Sequence, residues 1–295
     1  MLEWLKPHPG GRWIDGTNGG GGHSEAILKA TGPDGFLYGC DRDGAAIEAT
    51  RKRLAPYAGR FELRQGNFSE LGEWVEQGSS DGVVLDLGVS SAQLDWAERG
   101  FSFQAEGPLD MRMNPAEGRT AADLVNELGE EELAKIFWDL GDEPRGRRIA
   151  RAIGLERQAH RIESTSELVR LIERVVPRTG KKHPATRVFL ALRMAVNDEL
   201  GSLERGLAVA LSLLAQGGRM TILTFHSVED RLVKEFGRRK ARGYTVRGEV
   251  DLPEFRTEAA PELKLVTRKA IKPTEAELEG NPRARSAQLR VFEKL

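Results

Sequence analysis

The first hundred residues alternate between short apolar runs and segments with helical spacing. Four apolar runs predict β-strands, at residues 11–15, 36–40, 60–65 and 82–87. Three intervening segments predict helices, at residues 23–31, 44–54 and about 70–77. Runs such as Val83-Val84-Leu85 are apolar on both faces, which is typical of parallel strands covered by helices on both sides. The pattern therefore predicts an α/β domain built on an open parallel sheet.

The periodicity changes after about residue 105. Residues 120–217 show helical spacing throughout, including one long helical stretch from about Ala185 to Ala215. The strand pattern returns at 219–225, a helix is predicted at about 228–240, and two terminal strands at 263–267 and 288–292. We therefore predict an α/β domain in two parts, residues 1–104 and 196–295, interrupted by an all-helical insertion at 105–195.

The composition limits the kinds of chemistry that are available. The formal net charge of −1 indicates that any nucleic-acid contact must depend on local basic surfaces. A single cysteine, Cys40, excludes an intramolecular disulfide, and His and Cys show no metal-ligand spacing, so we expect no metal site. No signal peptide and no apolar run of membrane-spanning length is visible, and we expect a cytoplasmic protein with no membrane partner.

A glycine-rich turn lies between the first strand and the first helix of the α/β pattern. Its sequence is Asp15-Gly16-Thr17-Asn18-Gly19-Gly20-Gly21-Gly22-His23-Ser24. Glycines leave the main-chain N–H groups uncovered, and the following helix offers a partial positive charge at its N-terminus. A tight turn without any ligand would look similar, so the turn alone does not establish a binding site.

Asp41 adds a second signal. It ends the second predicted strand about twenty residues after the turn, where an open α/β sheet places an acid that accepts hydrogen bonds from ribose hydroxyls. Asp41 could instead form a turn or cap the next helix, and Asp43 competes for the capping role. With the glycine turn and the acid in register, the pattern favours nucleoside binding.

Asp15 indicates which nucleoside. A carboxylate at the start of the turn suits a cationic group better than a pyrophosphate, because like charges repel. S-adenosylmethionine carries an ammonium and a sulfonium, whereas NAD places two phosphates there. Ser24 also stands where the dinucleotide pattern has its third glycine. S-adenosylmethionine is therefore the favoured cofactor, and an NAD-dependent oxidoreductase remains the alternative.

Two further residues are predicted at the same edge of the sheet. Phe68 follows the third strand and could stack on an adenine face, although an ordinary core aromatic is the alternative. Asp86 ends the fourth strand. Candidates thus follow four strands at the edge where open α/β sheets bind their ligands.

These residues resemble one family, the ribosomal RNA small subunit methyltransferase H family, also called the MraW family. Eight segments carry the resemblance in the family's order, at residues 15–24, 86–103, 107–114, 120–126, 183–187, 196–200, 217–231 and 281–291. The resemblance implies a Rossmann-like class I S-adenosylmethionine methyltransferase sheet with an inserted helical domain that recognises RNA. It also implies a substrate, a cytidine in the decoding region of small-subunit (16S) rRNA, in the context of the small ribosomal subunit.

The resemblance further implies a set of cofactor-binding residues. They are Gly21, Gly22, His23, Asp41, Phe68, Asp86 and Gln93. From composition alone, His23 would be an ordinary helix-start residue and Gln93 a solvated loop side chain. One departure is visible: family members usually carry a short His-x-Pro-Val-Leu-like segment before the first helix, and this sequence starts at Met1-Leu2-Glu3. The departure reflects either a different start or weaker cofactor binding.

Methylation of a cytosine N4 amine requires a hydrogen-bond acceptor, because the amine lone pair is delocalised into the ring. The candidate acceptors are Asp86, Asp110 and His226. Each has a structural alternative: Asp86 could serve the cofactor, Asp110 could pair with Arg112, and His226 could cap the following helix. We expect Asp110 or His226 to touch the base. The Asp/Asn-Pro-Pro-aromatic tetrad of related amino-methyltransferases is replaced here by Asp86-Leu87-Gly88-Val89.

Basic residues are concentrated in three runs. The first comprises Arg145, Arg147, Arg148, Arg151, Arg157 and Arg161; the second Arg238, Arg239, Lys240, Arg242 and Arg247; the third Arg283, Arg285 and Arg290. Each run could be a solvated helix face, but three runs in a nearly neutral chain favour contact with an RNA backbone. A non-catalytic RNA-binding assembly factor that keeps a cofactor fold is the alternative outside the enzymes.

Overall fold

The computed structural model describes residues 1–178, 183–248 and 250–295. Its helices are α1 Leu2–Leu5, α2 Gly22–Ala30, α3 Gly44–Arg53, α4 Ser91–Asp95, α5 Ala121–Glu127, α6 Glu130–Asp139, α7 Gly146–Glu156, α8 Thr165–Val175, α9 Ala185–Val196, α10 Glu199–Leu213, α11 Ser227–Lys240 and α12 Glu275–Gly280. Its strands are β1 Arg12–Asp15, β2 Phe36–Asp41, β3 Phe61–Gln65, β4 Ser80–Asp86, β5 Leu214–Thr224, β6 Tyr244–Val246, β7 Arg256–Glu258, β8 Leu263–Leu265 and β9 Gln288–Lys294.

The chain forms two compact units. The first comprises Met1–Gly88 and Gly201–Leu295, and the second comprises Val89–Leu200. The second unit interrupts the first in sequence. The domain bounds predicted from periodicity, with an insertion at residues 105–195, stay a prediction. The role of the inserted unit in RNA recognition stays a prediction.

The first unit contains a seven-stranded sheet in the order β3-β2-β1-β4-β5-β9-β8. Strands β1 to β5 run parallel to one another, whereas β9 runs antiparallel to both β5 and β8. The strand order reverses between β1 and β4, and ligands of open α/β sheets bind at the carboxyl ends beside such a reversal. The predicted Rossmann-like methyltransferase fold is confirmed.

Alternate side chains of the central strands are buried on opposite faces of the sheet. Trp13 and Val84 belong to one apolar cluster, whereas Ile14 and Leu85 belong to another. All four side chains are almost completely buried. Both faces are covered because the connections between parallel strands are helical, which explains why the middle positions of these strands are apolar on both faces.

The second unit is helical in its described residues, with α4 to α9 packed around its own apolar core. Phe137 of α6, Ile153 of α7 and Leu192 of α9 are buried at its centre. Ser164 is the N-cap residue of α8, and its hydroxyl accepts a hydrogen bond from the main-chain N–H of Glu167. No helix in the described part of the chain is both long and apolar enough to cross a bilayer.

Three predicted elements were wrong in detail. The long helix predicted from Ala185 to Ala215 is two helices, because Asp198 adopts a φ of 45° between α9 and α10. Sheet structure resumes at Leu214, before the predicted 219. The helix predicted at 70–77 is a 3-10 helix over Phe68–Glu73, capped by the side chain of Asn67. Strands β6 and β7, which pair with each other, were not predicted.

Candidate functional site

The buried carboxylate of Asp15 stabilises the glycine turn through hydrogen bonds. Asp15 ends β1, and its oxygens accept hydrogen bonds from the Thr17 N–H (3.2 Å) and the Ser24 hydroxyl (2.6 Å). The Asn18 amide in turn donates to Ser24 Oγ at 2.6 Å. Burial raises the pKa of the Asp15 carboxyl, against the lowering effect of these hydrogen bonds. We expected Asp15 to face a cationic ligand; instead its side chain is fully buried, because the turn itself supplies its partners.

The outer surface of the turn is uncovered main chain. Gly21 is the N-cap of α2 with a φ of 77°, and a Cβ there would lie 3.1 Å from the Thr50 side chain. Gly20 differs, because a Cβ added to it would meet nothing within 4 Å. Gly20 and Gly22 are both exposed. The N-terminal N–H groups of α2 therefore lie beside open space that an anionic group can occupy.

Asp41 and Asp43 were both candidates for capping α3, and the structure gives that role to Asp43. Asp43 caps α3 by accepting a hydrogen bond from the Ala45 N–H at 3.0 Å. Asp41 accepts the N–H of Gly19 at 2.8 Å and that of Asp43 at 2.9 Å, so it joins the end of β2 to the glycine turn. Burial raises the pKa of the Asp41 carboxyl to about 6, although both N–H bonds lower it.

His23 and Asp86 meet at the carboxyl ends of β1 and β4. His23 Nε2 lies 3.3 Å from Asp86 Oδ2, and both side chains are partly exposed. The hydrogen bond to Asp86 raises the pKa of His23, against burial, and the negative charge of Asp15 raises it further. The main-chain N–H of Asp86 donates to Thr17 Oγ1 at 2.6 Å. The turn after β1 thus fixes both members of a hydrogen-bonded pair at the centre of the sheet edge.

Phe68 occupies the position of a core aromatic. Its side chain is 9% exposed and belongs to the apolar cluster that contains Leu85 and Leu207. A Cβ added to Gly206 of α10 would overlap the Phe68 ring. The neighbouring Asn67 donates from its amide to the Ser202 hydroxyl at 2.8 Å, also on α10. Adenine stacking by Phe68 stays a prediction.

His226 lies at the same sheet edge, at the end of β5. Asp86 of β4 pairs with Leu223 of β5, and His226 follows three residues later as the N-cap of α11. It therefore occupies the capping position that the alternative gave it, although its side chain makes no capping hydrogen bond. Instead, the buried Glu229 carboxylate accepts a hydrogen bond from the Phe225 N–H at 3.2 Å.

In the second unit, Asp110 forms a two-pronged ion pair. Arg112 Nε and Nη2 donate to its two oxygens at 2.9 and 2.7 Å, and the Arg112 N–H donates at 3.0 Å. Burial alone would raise the pKa of Asp110, but the hydrogen bonds and charge of Arg112, with the charge of Arg99, leave that pKa below its ordinary value. A carboxylate held this way is a weak proton acceptor.

Gln93 also belongs to the second unit, at the first turn of α4. Its side-chain Oε1 accepts a hydrogen bond from the Ser90 N–H at 3.0 Å. Its main-chain N–H donates to Ser90 Oγ at 3.2 Å. The side chain is buried. The alternative of a solvated loop residue is therefore wrong, and a cofactor contact by Gln93 stays a prediction.

The basic runs divide into paired and exposed members. Arg290 is buried in an ion pair with Asp230 at 2.7 Å. We expected Arg290 to contact RNA, but this ion pair makes it unavailable. Arg157 donates to two main-chain carbonyls at the end of α5. Arg161 pairs with Asp123 at 2.6 Å. In contrast, Arg147 and its neighbours on α7 face solvent.

Two residues of the site were missed in the sequence. Thr17 positions the main chain of Asp86, and Ser24 partners the buried Asp15. The available signal was the position of Ser24, where the dinucleotide pattern has a glycine, but that position indicated only a departure from the dinucleotide pattern. Nothing in the spacing indicated that Thr17 would bridge two strands, because that contact joins residues 69 positions apart.

The edge fits S-adenosylmethionine by the chemistry of its groups. The uncovered turn at the N-terminus of α2 suits a carboxylate, and Asp41 at the end of β2 suits a ribose diol. Asp86 supplies negative charge where a cationic centre can be accommodated. In the described parts of the chain, no group of three or more His, Cys, Asp or Glu side chains could hold a metal ion.

Comparison with known proteins agrees with this arrangement. The model of the MraW methylase family matches residues 1–295. A ribosomal RNA small subunit methyltransferase H from Geobacter sulfurreducens is 52% identical over 301 residues, covering 100% of this chain and 96% of that protein. Proteins of the same name from Syntrophotalea carbinolica and Heliobacterium mobile are 48% and 46% identical, covering 100% of this chain and 95% and 96% of their own lengths.

Proposed function

The chain belongs to the MraW methylase family of S-adenosylmethionine-dependent methyltransferases, and we propose that it methylates the N4 amine of a cytidine in the decoding region of small-subunit rRNA. The observation that carries the proposal is the His23–Asp86 pair beside the uncovered glycine turn. We propose further that the chain acts in the cytoplasm, on rRNA in the context of the small ribosomal subunit.

The chain's own groups account for binding of the methyl donor. The α2 N-terminus would take the methionine carboxylate, and Asp41 would accept hydrogen bonds from the ribose hydroxyls. When bound, S-adenosylmethionine supplies a methyl group already activated by its sulfonium. The protein therefore contributes mainly alignment of the amine with that methyl group, together with exclusion of competing geometries.

Asp86 is the proposed proton acceptor. Its Oδ2 is held by His23, whereas Oδ1 has no hydrogen-bond partner within the described residues. Oδ1 would accept a hydrogen bond from the cytosine amino group and draw the nitrogen lone pair out of the ring. After the N–CH3 bond forms, the amine proton passes to that oxygen. The main-chain bond to Thr17 keeps the carboxylate in place without using either oxygen.

His226 is the second proposed contact with the base. It follows β5, the neighbour of the strand that ends at Asp86, and so lies at the same edge of the sheet. Asp110 was the other candidate. Its two oxygens are both engaged by Arg112, which makes it the weaker candidate for accepting a proton. We propose that Asp110 shapes its own loop instead.

A methyl-transfer assay tests the proposal. Small ribosomal subunits, partial subunits and free rRNA would be incubated with methyl-labelled donor, and the modified nucleoside would be identified by mass spectrometry. We expect N4-methylcytidine at one decoding-region position. Asp86→Asn should lower kcat by about 100- to 10,000-fold while binding the donor, and Asp110→Asn should have a smaller effect. A methyl group on another atom, or no transfer to any of these RNAs, would overturn the proposal, and RNA binding without transfer would favour the assembly factor.

A further inference from the structure

The middle of the glycine turn is a tight turn over Asn18, Gly19, Gly20 and Gly21, closed by a 2.8 Å hydrogen bond from the Gly21 N–H to the Asn18 carbonyl. Of its two central residues, Gly19 has a φ of 51°, whereas Gly20 lies outside the left-handed region. This combination is typical of a type II′ turn. A pair of glycines also permits a type I′ turn, in which the central peptide group faces the opposite way. The glycines alone therefore do not fix the direction of the peptide between Gly19 and Gly20.

The hydroxyl of Thr50 fixes that direction. Thr50 lies on the buried face of α3, its side chain is fully buried, and its Oγ1 donates to the Gly19 carbonyl at 3.1 Å. A threonine inside a helix often donates to the carbonyl one turn earlier in its own helix, but Thr50 donates to a residue 31 positions away. A buried hydroxyl without an acceptor is costly, so this contact favours the turn in which the Gly19 carbonyl faces α3.

Asp41 engages the other polar main-chain group of Gly19. Its Oδ2 accepts the Gly19 N–H at 2.8 Å. The N–H and the carbonyl of Gly19 thus each have a side-chain partner, one at the end of β2 and one on α3. The Thr50 side chain would also lie 3.1 Å from a Cβ added to Gly21, so it packs against the end of the turn as well. Gly19 is therefore held in one orientation from two elements of the fold.

The orientation of Gly19 determines where the N–H of Gly20 points. The peptide that joins them is planar and trans, so its N–H and its carbonyl point in opposite directions. Because the Gly19 carbonyl faces α3, the Gly20 N–H faces away from α3. Gly20 is exposed, a Cβ added to it would meet nothing within 4 Å, and its N–H has no acceptor among the described residues. The turn thus presents an unused N–H donor to open space.

We propose that Thr50 is a positioning residue for the methyl donor: by holding the Gly19 carbonyl towards α3, it turns the Gly20 N–H towards the carboxylate of bound S-adenosylmethionine. Thr50 acts through the main chain and needs no contact with the donor. A hydrogen bond to a charged carboxylate is stronger than one to a neutral acceptor, so the direction of a single N–H has a measurable effect. The inference rests on the donor site given under the proposed function, and it does not depend on which RNA atom is methylated.

Three variants test the role of the hydroxyl. Thr50→Val keeps the shape of the side chain and removes the hydroxyl, whereas Thr50→Ser keeps the hydroxyl. The matched control is Thr221→Val, because Thr221 is equally buried in the same unit and its Oγ1 donates to the Val83 carbonyl of β4 at 3.3 Å. Both valine variants lose one buried hydrogen bond to a main-chain carbonyl. Urea unfolding of both then shows how much of any effect is a loss of stability.

Calorimetry compares S-adenosylmethionine with its decarboxylated form, which keeps the adenosine, sulfonium and ammonium groups. Thr50→Val should raise the Kd of S-adenosylmethionine about tenfold and leave that of the decarboxylated form within about twofold, because only the former carries the carboxylate. Thr50→Ser and Thr221→Val should bind both ligands like wild type. In methyl transfer, Thr50→Val should raise the KM for the donor and leave kcat unchanged. Equal weakening of both ligands, or no weakening of either, would overturn the inference.

Heteronuclear NMR of glycine-labelled protein reports on the Gly20 amide itself, without any methyl transfer. In the free chain, Thr50→Val should shift the Gly20 amide resonance and Thr221→Val should not. Addition of S-adenosylmethionine should move the Gly20 amide proton downfield in wild type and much less in Thr50→Val. Identical behaviour of this amide in both would contradict the positioning role.

The same measurements separate this inference from the proposed function. If wild type binds no S-adenosylmethionine, the donor site and this inference both fail. If wild type binds it with the expected dependence on Thr50 but methylates no cytidine, the proposed function fails and the positioning role of Thr50 stands.

Discussion

The main-chain N–H of Asp86 donates a 2.6 Å hydrogen bond to the hydroxyl of Thr17. This contact joins the end of β4 to the glycine turn after β1, across the point where the strand order reverses. It fixes the Asp86 main chain while leaving the carboxylate to His23 and the substrate. A turn residue that contacts no reacting atom thus positions the proposed proton acceptor.

Replacing Thr17 should separate positioning from binding. Thr17→Val keeps the shape but removes the oxygen that accepts the Asp86 N–H, so the free energy of unfolding should fall by about 1–3 kcal/mol. Thr17→Ser keeps the hydroxyl and should behave like wild type. Urea unfolding measures the stability, and single-turnover methyl transfer measures the chemistry. A Thr17→Val variant with wild-type stability and rate would show that the contact has no positioning role.

The His23–Asp86 pair should be visible in the titration of His23. The hydrogen bond to Asp86 raises the pKa of His23, so Asp86→Asn should lower that pKa, as followed by NMR of the imidazole protons. Because the folded-state pKa is raised, the stability contributed by the pair is present below the ordinary His value of about 6.5 and is lost as pH rises through the raised pKa. The stability difference between wild type and Asp86→Asn should therefore shrink with rising pH. An unchanged His23 titration would contradict the pair.

The glycine turn should distinguish neighbouring glycines. Gly21→Ala should lower stability by about 1–3 kcal/mol, because the residue has a positive φ and its Cβ would crowd Thr50. Gly20→Ala, whose Cβ would meet open space, should leave the unfolding free energy unchanged within about 0.5 kcal/mol. Thermal unfolding of both variants checks this directly. If the Gly20 variant folds normally but binds the methyl donor weakly, the donor lies against that glycine.

Asp41 should make donor binding depend on pH. Its carboxyl has a raised pKa of about 6, owing mainly to burial. Below that pH the side chain becomes neutral and is a poorer acceptor for ribose hydroxyls, so the Kd for S-adenosylmethionine should rise as pH falls from 7 to 5. Calorimetry across this range measures the effect, and Asp41→Asn should bind more weakly at pH 7 with a flatter profile. A wild-type Kd that is constant from pH 7 to 5 would exclude this role.

The Arg290–Asp230 ion pair should act as a unit. Both side chains are nearly buried, and two Arg290 nitrogens donate to the carboxylate at 2.7 and 2.9 Å. Asp230→Leu alone leaves a buried charge without a partner and should cost about 3–5 kcal/mol, whereas Asp230→Leu/Arg290→Met should recover most of that loss. Denaturant unfolding measures both variants. Additive losses would show that the two groups do not interact.

The sheet was predictable because its apolar runs are short, buried on both faces and separated by turn residues. The break between α9 and α10 was not predictable. Asp198 adopts a left-handed conformation there, and the side chain of the preceding Asn197 donates hydrogen bonds to Met111 O and Arg193 O. The contact with Met111 joins residues that are distant in sequence, so the local pattern does not reveal it. The candidate site was also predictable only where its residues follow from local pattern. Asp41 and Asp86 could be placed from strand ends, whereas the burial of Asp15 depends on how Ser24 folds back over it.

Arg290 shows that the sequence alone does not reveal which charged side chains are paired in the fold. In sequence it is one of several arginines near the C-terminus, and only the pairing of β5 with β9 and the packing of α11 bring it to Asp230. Conversely, the unpaired state of Arg147 follows from its position on the outer face of α7. Runs of charge therefore indicate where a surface can be basic, and the tertiary contacts decide which members remain available.

The proposed methyl transfer depends most on which ligand binds at the glycine turn. Titration calorimetry of the wild-type chain with S-adenosylmethionine, and separately with NAD, measures this directly. We predict saturable binding of S-adenosylmethionine with one site per chain, weakened at least tenfold in Asp41→Asn, and no measurable binding of NAD. Tight binding of NAD with indifference to S-adenosylmethionine would contradict the assignment of this sheet edge to a methyl donor.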